Sequence, residues 1–308
     1  MLEPLSLKPP LYHPRYWLSW AAVWLAKVFG LLPLPLLWFL GTITGHLAYY
    51  LLASRRRIAH RNIELCFPEL SAGEVNRLTH RHFAALGVAL FGSGVSWVAS
   101  KKRLRRLIHY RNREYYDQAV AAGRHIIFLA PHFLGLELGG MCFSLECPGV
   151  SMYQKIHDPV IDRQVYKGRC RYGGIMIEHK TSLKTLVRFL RQGLTFYYLP
   201  DQNPGRRKGI FVPFFGIQTA TYPTLGRFAK LADAVVIPCF SRFLPYGKGV
   251  EMVFMPPLEP FPTDDPVADA TLMNRRIEEG IRLMPEDYFW IHRRFKTRPA
   301  GEPSLYEK

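Results

Sequence analysis

Two polar side chains interrupt the largely apolar stretch HIIFLAPHFLGLELGG (residues 125–140): His132 and, five residues later, Glu137. An imidazole beside a carboxylate can act as a general base. The histidine takes a proton from a hydroxyl while the carboxylate sets its tautomer and stabilises the imidazolium. On one continuous helix, five steps of about 100° would put the two residues about 140° apart, and they would not meet. If His132 instead sits on the turn after a strand, fixed by Pro131, and Glu137 lies in the first turn of the next helix, the carboxylate can fold back towards the imidazole. The helix N-terminus would then offer positive potential to an oxyanion or a phosphate. On pattern alone, a structural pair at the end of a buried strand is the commoner arrangement.

A second strand end has the same form. TFYYLPDQNPGRRKGIFVPFFG (residues 195–216) runs from a β-rich segment into Pro200, Asp201 and Gln202. Ligands of open α/β sheets collect at the carboxyl edge of the strands, so both ends would face one cleft. After Asp201 come Gly205, Arg206, Arg207 and Lys208, a loop able to hold phosphates or simply to lie in solvent. YKGRCRYGG (residues 166–174) supplies Arg169 and Arg171. These either clamp an anionic acceptor or are surface charges, and spacing does not decide between the two.

The elements that must position these groups alternate. Strands are predicted at 125–130, 149–153, 194–199, 234–243 and 250–255, and helices at 136–145, 160–172, 182–192, 222–232 and 271–283. That order predicts an α/β domain with a mostly parallel sheet flanked by helices. SAGEVNRLTHRHFAALGVALFG (residues 71–92) opens with Ser71 and Glu74 in capping-box spacing and continues at helical period. Lys101, Lys102, Arg103, Arg105 and Arg106 form a basic cluster, read as a solvated helix face or a hold on anionic lipid headgroups.

The N-terminus differs from the rest. From 16 to 53 only Lys27 and His46 can carry charge, and Arg55, Arg56 and Arg57 follow at once. This predicts a retained membrane anchor over residues 1–54, with the basic run on the cytoplasmic side. Pro33 and Pro35 break the segment into two shorter helices, which leaves spanning and interfacial arrangements open. A buried helical hairpin of a soluble core is the competing arrangement. The catalytic domain is expected over 55–308, with a helical lead-in at 55–120, an α/β core at 121–260 and a C-terminal helical segment at 261–308. A net charge of +17 calls for an anionic partner. Five cysteines without a CxxC pair read as reduced thiols. His132 and Glu137 lack a third ligand at metal spacing, so neither metal nor cofactor is implied. No G-x-S-x-G elbow supports a serine hydrolase, and no helix-turn-helix, zinc or RNA-binding signature supports a nucleic-acid partner.

Four separated blocks, SRRRIAHRNIELCFPELS, PHFLGLELGG, PDQNPGRRKGIFVPFFG and YFWIHRRFKTRP, resemble the bacterial late acyltransferases of lipid A biosynthesis, the lauroyl/myristoyl transferase family. The likeness runs in register from Tyr16 to about Pro303. It implies a glycerolipid-acyltransferase-like fold and an acyl carrier protein as donor. It also implies a phosphorylated glucosamine disaccharide acceptor bearing 3-hydroxyacyl chains, and an active site on the cytoplasmic side of the inner membrane among anionic lipids. By the same resemblance His132 is the catalytic histidine and Glu137 its acidic partner. Arg169, Asp201 and Gln202 belong to the substrate-binding set, with Arg171 beside them. Where many members carry an arginine after the second strand, this chain has Tyr153, Gln154 and Lys155. Lys155 keeps the charge without a bidentate guanidinium. The same fold acting on another envelope lipid, such as a lysophospholipid, or on a specialised lipid product is the alternative.

Overall fold

The computed structural model describes residues 11–178 and 183–306, so Ser182, the predicted start of one helix, lies outside the described residues. The chain begins with α1 (Trp17–Leu31), α2 (Leu34–Leu51), α3 (Ala53–Cys66), α4 (Ala72–Val98) and α5 (Lys101–Leu107). Strands and helices then alternate: β1 (Ile108–Arg111), α6 (Glu114–Ala121), β2 (His125–Leu129), α7 (Leu136–Phe143), β3 (Gly149–Tyr153), α8 (Pro159–Arg169), β4 (Ile175–Glu178), α9 (Leu183–Arg191) and β5 (Thr195–Tyr198). A hairpin, β6 (Ile210–Phe214) and β7 (Ile217–Thr221), precedes α10 (Thr224–Ala232), β8 (Ala234–Phe243), β9 (Val250–Phe254) and α11 (Pro266–Leu283).

Seven strands form one sheet in the order β1-β9-β8-β2-β5-β3-β4, parallel except for β8 against β9. This is the expected mostly parallel α/β sheet. Its strands read as apolar runs because both faces are covered. Ile127, Leu129, Val236 and Phe196 face a core that includes residues of α3, α4, α9, α10 and α11, while Ile126, Phe128, Ile237 and Phe254 face a second core beside α6 and α7. Each predicted strand is present to within a residue at either end. The strands β1, β4, β6 and β7 were not foreseen. β1 and β4 are four-residue edge strands, and β1 alternates between half-buried and exposed side chains, so neither has a long apolar run.

The helical layer at the N-terminus is built on α4. Its start carries the expected capping box: the Ser71 amide donates to Glu74 (2.9 Å) and the Glu74 amide donates to the Ser71 hydroxyl (3.4 Å). α1 and α2 lie against α4 at backbone contact distance. A Cβ on Gly87 would come within 2.0 Å of the Gly41 carbonyl oxygen, and one on Gly30 within 2.2 Å of the Gly94 oxygen. Leu34, Leu37 and Val95 are buried there together with Leu138 and Met141 of α7. The other side of the pair is bare: Trp17, Leu18, Trp24, Leu25, Leu47 and Leu51 are all more than half exposed. Neither reading of this segment is complete, because one face is core and the other is an apolar surface. Among the described residues no single helix is long and apolar enough to cross a membrane. α2 and α3 meet the length and composition only as a pair bent by 95°. All five cysteines are free.

Candidate active site

β2 is the central strand, and the chain leaves its carboxyl end through Ala130 and Pro131 to His132. β5 lies beside it in parallel, with Leu129 opposite Tyr198 and the Ala130 amide donating to the Tyr198 carbonyl (2.9 Å). Three residues on from that matched pair, each chain delivers its polar group: His132 after Leu129, Asp201 after Tyr198. The carboxylate of Asp201 accepts from His132 twice, from the main-chain amide to Oδ2 (3.0 Å) and from ring Nδ1 to Oδ1 (2.7 Å). An ionised carboxylate only accepts, so Nδ1 carries the proton and Nε2 presents a lone pair.

The electrostatics favour that arrangement. Burial by itself would raise the Asp201 pKa, but the facing His132 and its hydrogen bonds hold the carboxyl below its ordinary value. Burial would lower the His132 pKa, yet the Asp201 charge and hydrogen bond outweigh it and leave the imidazole above its ordinary value. Asp201 is 2% exposed and the His132 side chain 30%, so the anion is buried and the imidazole reaches solvent.

Glu137 lies in the first turn of α7, where spacing predicted it, but its carboxylate goes elsewhere. Arg169, the last residue of α8, donates to it through Nε (3.2 Å) and through an Nη2 contact. The expected orienting role of Glu137 on His132 is therefore corrected: Asp201 occupies Nδ1, and Glu137 acts on the imidazole only through space, against the opposing charge of Arg169. The physical reason is register. Parallel neighbours bring the residues after their matched ends face to face, whereas the turn from His132 to α7 points Glu137 along the cleft towards α8. Glu137 and Arg169 are each about one-third exposed, with the Tyr153 ring under the guanidinium at 5.7 Å. Among the described residues, the amides of Glu137 and Leu138 in this first turn have no hydrogen-bond acceptor.

The loop bearing His132 is clamped from two sides. The Phe289 amide donates to the His132 carbonyl (3.0 Å), the Leu134 amide to that of Asp287 (2.8 Å) and the Gly135 amide to that of Ser241 (3.2 Å). Gly135 is required at that contact, because a Cβ would stand 2.5 Å from the Arg242 nitrogen. The C-terminal block supplies further groups that sequence reasoning used only as a family signature. Tyr288 is buried against Asp201, which together with burial pushes its hydroxyl pKa up. His292 accepts the Asn203 amide at Nε2 (3.2 Å), and burial lowers its pKa to about 4, so it is a neutral prop for the turn after β5. Buried Arg294 donates to the Thr221 hydroxyl (3.0 Å) and lies over the Phe214 ring. The dense polar and aromatic pattern of YFWIHRRF was the signal for these roles.

Arg171 is not at the cleft. It donates to the carbonyl of Ala99 (2.9 Å) at the end of α4, which is a structural use of its charge. Lys155 is exposed beyond β3 and has no described partner, and Gln202 is half-buried beside Asp201.

The chain matches the family model described as bacterial lipid A biosynthesis acyltransferase over residues 6–297. It is 37% identical to a lipid A biosynthesis lauroyltransferase of Escherichia coli (strain K12), covering 96% of this chain and 97% of that protein. It is 35% identical to a lipid A biosynthesis palmitoleoyltransferase of the same organism over 96% of both. It is 29% identical to its lipid A biosynthesis myristoyltransferase over 96% of this chain and 92% of that one. With a match to that family along nearly its whole length, the chain belongs to the bacterial lipid A biosynthesis acyltransferases.

Proposed function

We propose that the protein moves a fatty acyl chain from an acyl carrier protein thioester to a hydroxyl of a phosphorylated glucosamine-disaccharide lipid, a lipid A precursor. The observation that carries this reading is the His132–Asp201 pair, with Nδ1 bound and Nε2 open to the cleft. His132 Nε2 takes the proton of the acceptor hydroxyl as its oxygen attacks the thioester carbonyl carbon. Asp201 stabilises the imidazolium that forms. The unpaired amides of Glu137 and Leu138 and the Arg169 guanidinium stabilise the oxyanion. The tetrahedral intermediate then collapses, the carbon–sulfur bond breaks, and the carrier thiolate leaves with the proton held by His132. No acyl-enzyme forms.

The remaining substrate-binding assignments rest on position. Arg169 and Gln202 lie at the cleft, and Lys155 at the far end of β3 supplies positive charge at its rim. The net charge of +17 suits both an acidic carrier protein and a phosphorylated acceptor in an anionic leaflet. The outward apolar face of α1 and α2 is the membrane-binding surface, seated in the interface of the inner membrane with the catalytic domain on the cytoplasmic side. Incubating the purified chain with acyl carrier proteins loaded with different chains and a tetra-acylated, phosphorylated disaccharide acceptor tests the reading. The product should gain the mass of one acyl group less a proton. Transfer to lysophospholipid and never to the disaccharide would replace this reading with the alternative acceptor.

A further inference from the structure

Outside the catalytic cleft, a concentration of basic side chains lies where the chain turns from α2 into α3. A cavity of about 820 Å³ is lined there by Arg56, Arg57, His60, Arg61 and Arg293. A second, of about 760 Å³, adjoins it and shares Ser54, Ile58 and Arg293; its other walls are Leu51, Leu52 and Arg55. Some of this charge is committed. Arg61 pairs with Glu64 (2.7 Å), the acid in the lining, and Arg56 donates to the Tyr49 carbonyl (3.0 Å). Arg55, Arg57 and Arg293 have no carboxylate partner among the described residues, although all three are exposed and free to find one. Arg55–Arg57 also sit in the first turn of a 14-residue helix without an acid there, so the positive pole of the helix adds to their mutual repulsion. Arg57 and Arg293 line the first cavity and Arg55 and Arg293 the second, with Arg293 resting over the Tyr306 ring at 5.8 Å. Guanidinium forks without a carboxylate partner on adjoining cavities match the oxygens of a phosphate monoester, whose dianion accepts bidentate bonds from several directions.

The surroundings narrow the ligand further. Leu51 and Leu52, 78% and 48% exposed, continue the apolar face of α2 into the mouth of the second cavity. The groove wall is joined to the turn that carries Asp201, since Arg293 directly follows His292, which props that turn by accepting the Asn203 amide (3.2 Å). We propose that this arginine-lined groove binds the phosphate monoester of a lipid whose acyl chains lie against Leu51 and Leu52. The assignment rests on the acyltransferase reading above and deepens it, because the phosphate is then one carried by the glycolipid acceptor, held away from the hydroxyl that reacts.

The test uses the full chain, Arg57→Ala/Arg293→Ala and Arg57→Lys/Arg293→Lys. Both positions are exposed, and unchanged thermal unfolding checks that each variant folds. One arm measures binding to phosphatidylcholine vesicles containing phosphatidic acid, a monoester, or phosphatidylglycerol, a diester, at matched surface charge. The alanine pair should lose about tenfold on the monoester vesicles and little on the diester ones. The lysine pair, which keeps charge but not the fork, should fall between. Equal losses on both vesicles, or none, would overturn the proposal in favour of diffuse attraction. If inorganic phosphate alone binds the wild type as tightly as the monoester vesicles do, the site takes free phosphate and the lipid assignment falls. The other arm measures acyl transfer. KM for the phosphorylated acceptor should rise about tenfold in the alanine pair with kcat nearly unchanged, and KM for the same acceptor after phosphatase treatment should not move. Equal KM shifts on both acceptors would also overturn it. If the wild type turns over neither acceptor, the acyltransferase reading fails by itself, and the vesicle arm still decides the phosphate site.

Discussion

A histidine serves as base only when its protons are in the right place, and in the proposed mechanism one buried carboxylate decides that for His132. Because the His132 amide holds the Asp201 carboxylate in place against Nδ1, the ring cannot flip to present the wrong nitrogen without breaking a charge-assisted hydrogen bond. His132→Ala and Asp201→Asn should each lower acyl transfer by about 10²- to 10⁴-fold while leaving folding intact, measured as initial rates beside thermal unfolding. The pH profile separates their roles. In the proposed mechanism the reactive form is neutral imidazole, and the His132 pKa is raised, so activity should fall as pH drops through a midpoint above that of free histidine. Asp201→Asn removes the main influence that raises it, and the acidic limb of the residual activity should move to lower pH. A limb that stays in place would show that another group titrates. Glu137→Gln tests a different function. It frees Arg169 and removes a charge that raises the imidazole pKa through space, so a change in KM or rate should come with a shift of that limb to lower pH smaller than the one in Asp201→Asn.

At the scale of elements, α1 and α2 belong to the fold as well as to the surface. Leu34 and Leu37 share a core with Leu138 and Met141 of α7, the helix that begins at the active site. Removing residues 1–53 would therefore strip the cover from α4 and destabilise the enzyme, so truncation cannot report on membrane binding alone. The close helix packing makes its own prediction. Gly87→Ala must push α2 from α4, because the added methyl would overlap the Gly41 carbonyl, and the loss of stability should be about 1–3 kcal/mol by thermal or chemical unfolding. Gly140→Ala, whose methyl meets nothing within 4 Å, should be neutral or stabilising by about 0.5–1 kcal/mol.

For the whole molecule, the exposed apolar side of α1 and α2 and the arginines at the start of α3 face the outside as neighbours, an apolar strip beside a cationic groove. The interfacial binding proposed for this surface would combine apolar insertion with charge. Leu18→Glu/Leu25→Glu/Leu47→Glu alters only outward side chains, so it should leave the melting temperature nearly unchanged and shift the chain from the membrane pellet to the supernatant at high salt. High salt alone should release the wild type only in part, since screening weakens the electrostatic component and spares the apolar one.

Local sequence determined a good deal of this protein. Apolar runs bounded by turn residues placed the five buried strands, because a strand covered on both faces must be apolar throughout. Ser71 and Glu74 marked the start of α4 because a cap is satisfied by near neighbours. The two Pro-polar strand ends put His132 and Asp201 at the same sheet edge, and the helix after β2 put Glu137 in its first turn. Which carboxylate meets the histidine was decided only in three dimensions. His132 and Asp201 are 69 residues apart and meet because β2 and β5 are parallel neighbours in matched register, and strand order leaves no trace in local spacing. The division of α1 and α2 into a core face and a bare face was equally hidden. An apolar segment has the same composition wherever it packs, and only the backbone contacts through Gly30, Gly41, Gly87 and Gly94 select the buried side.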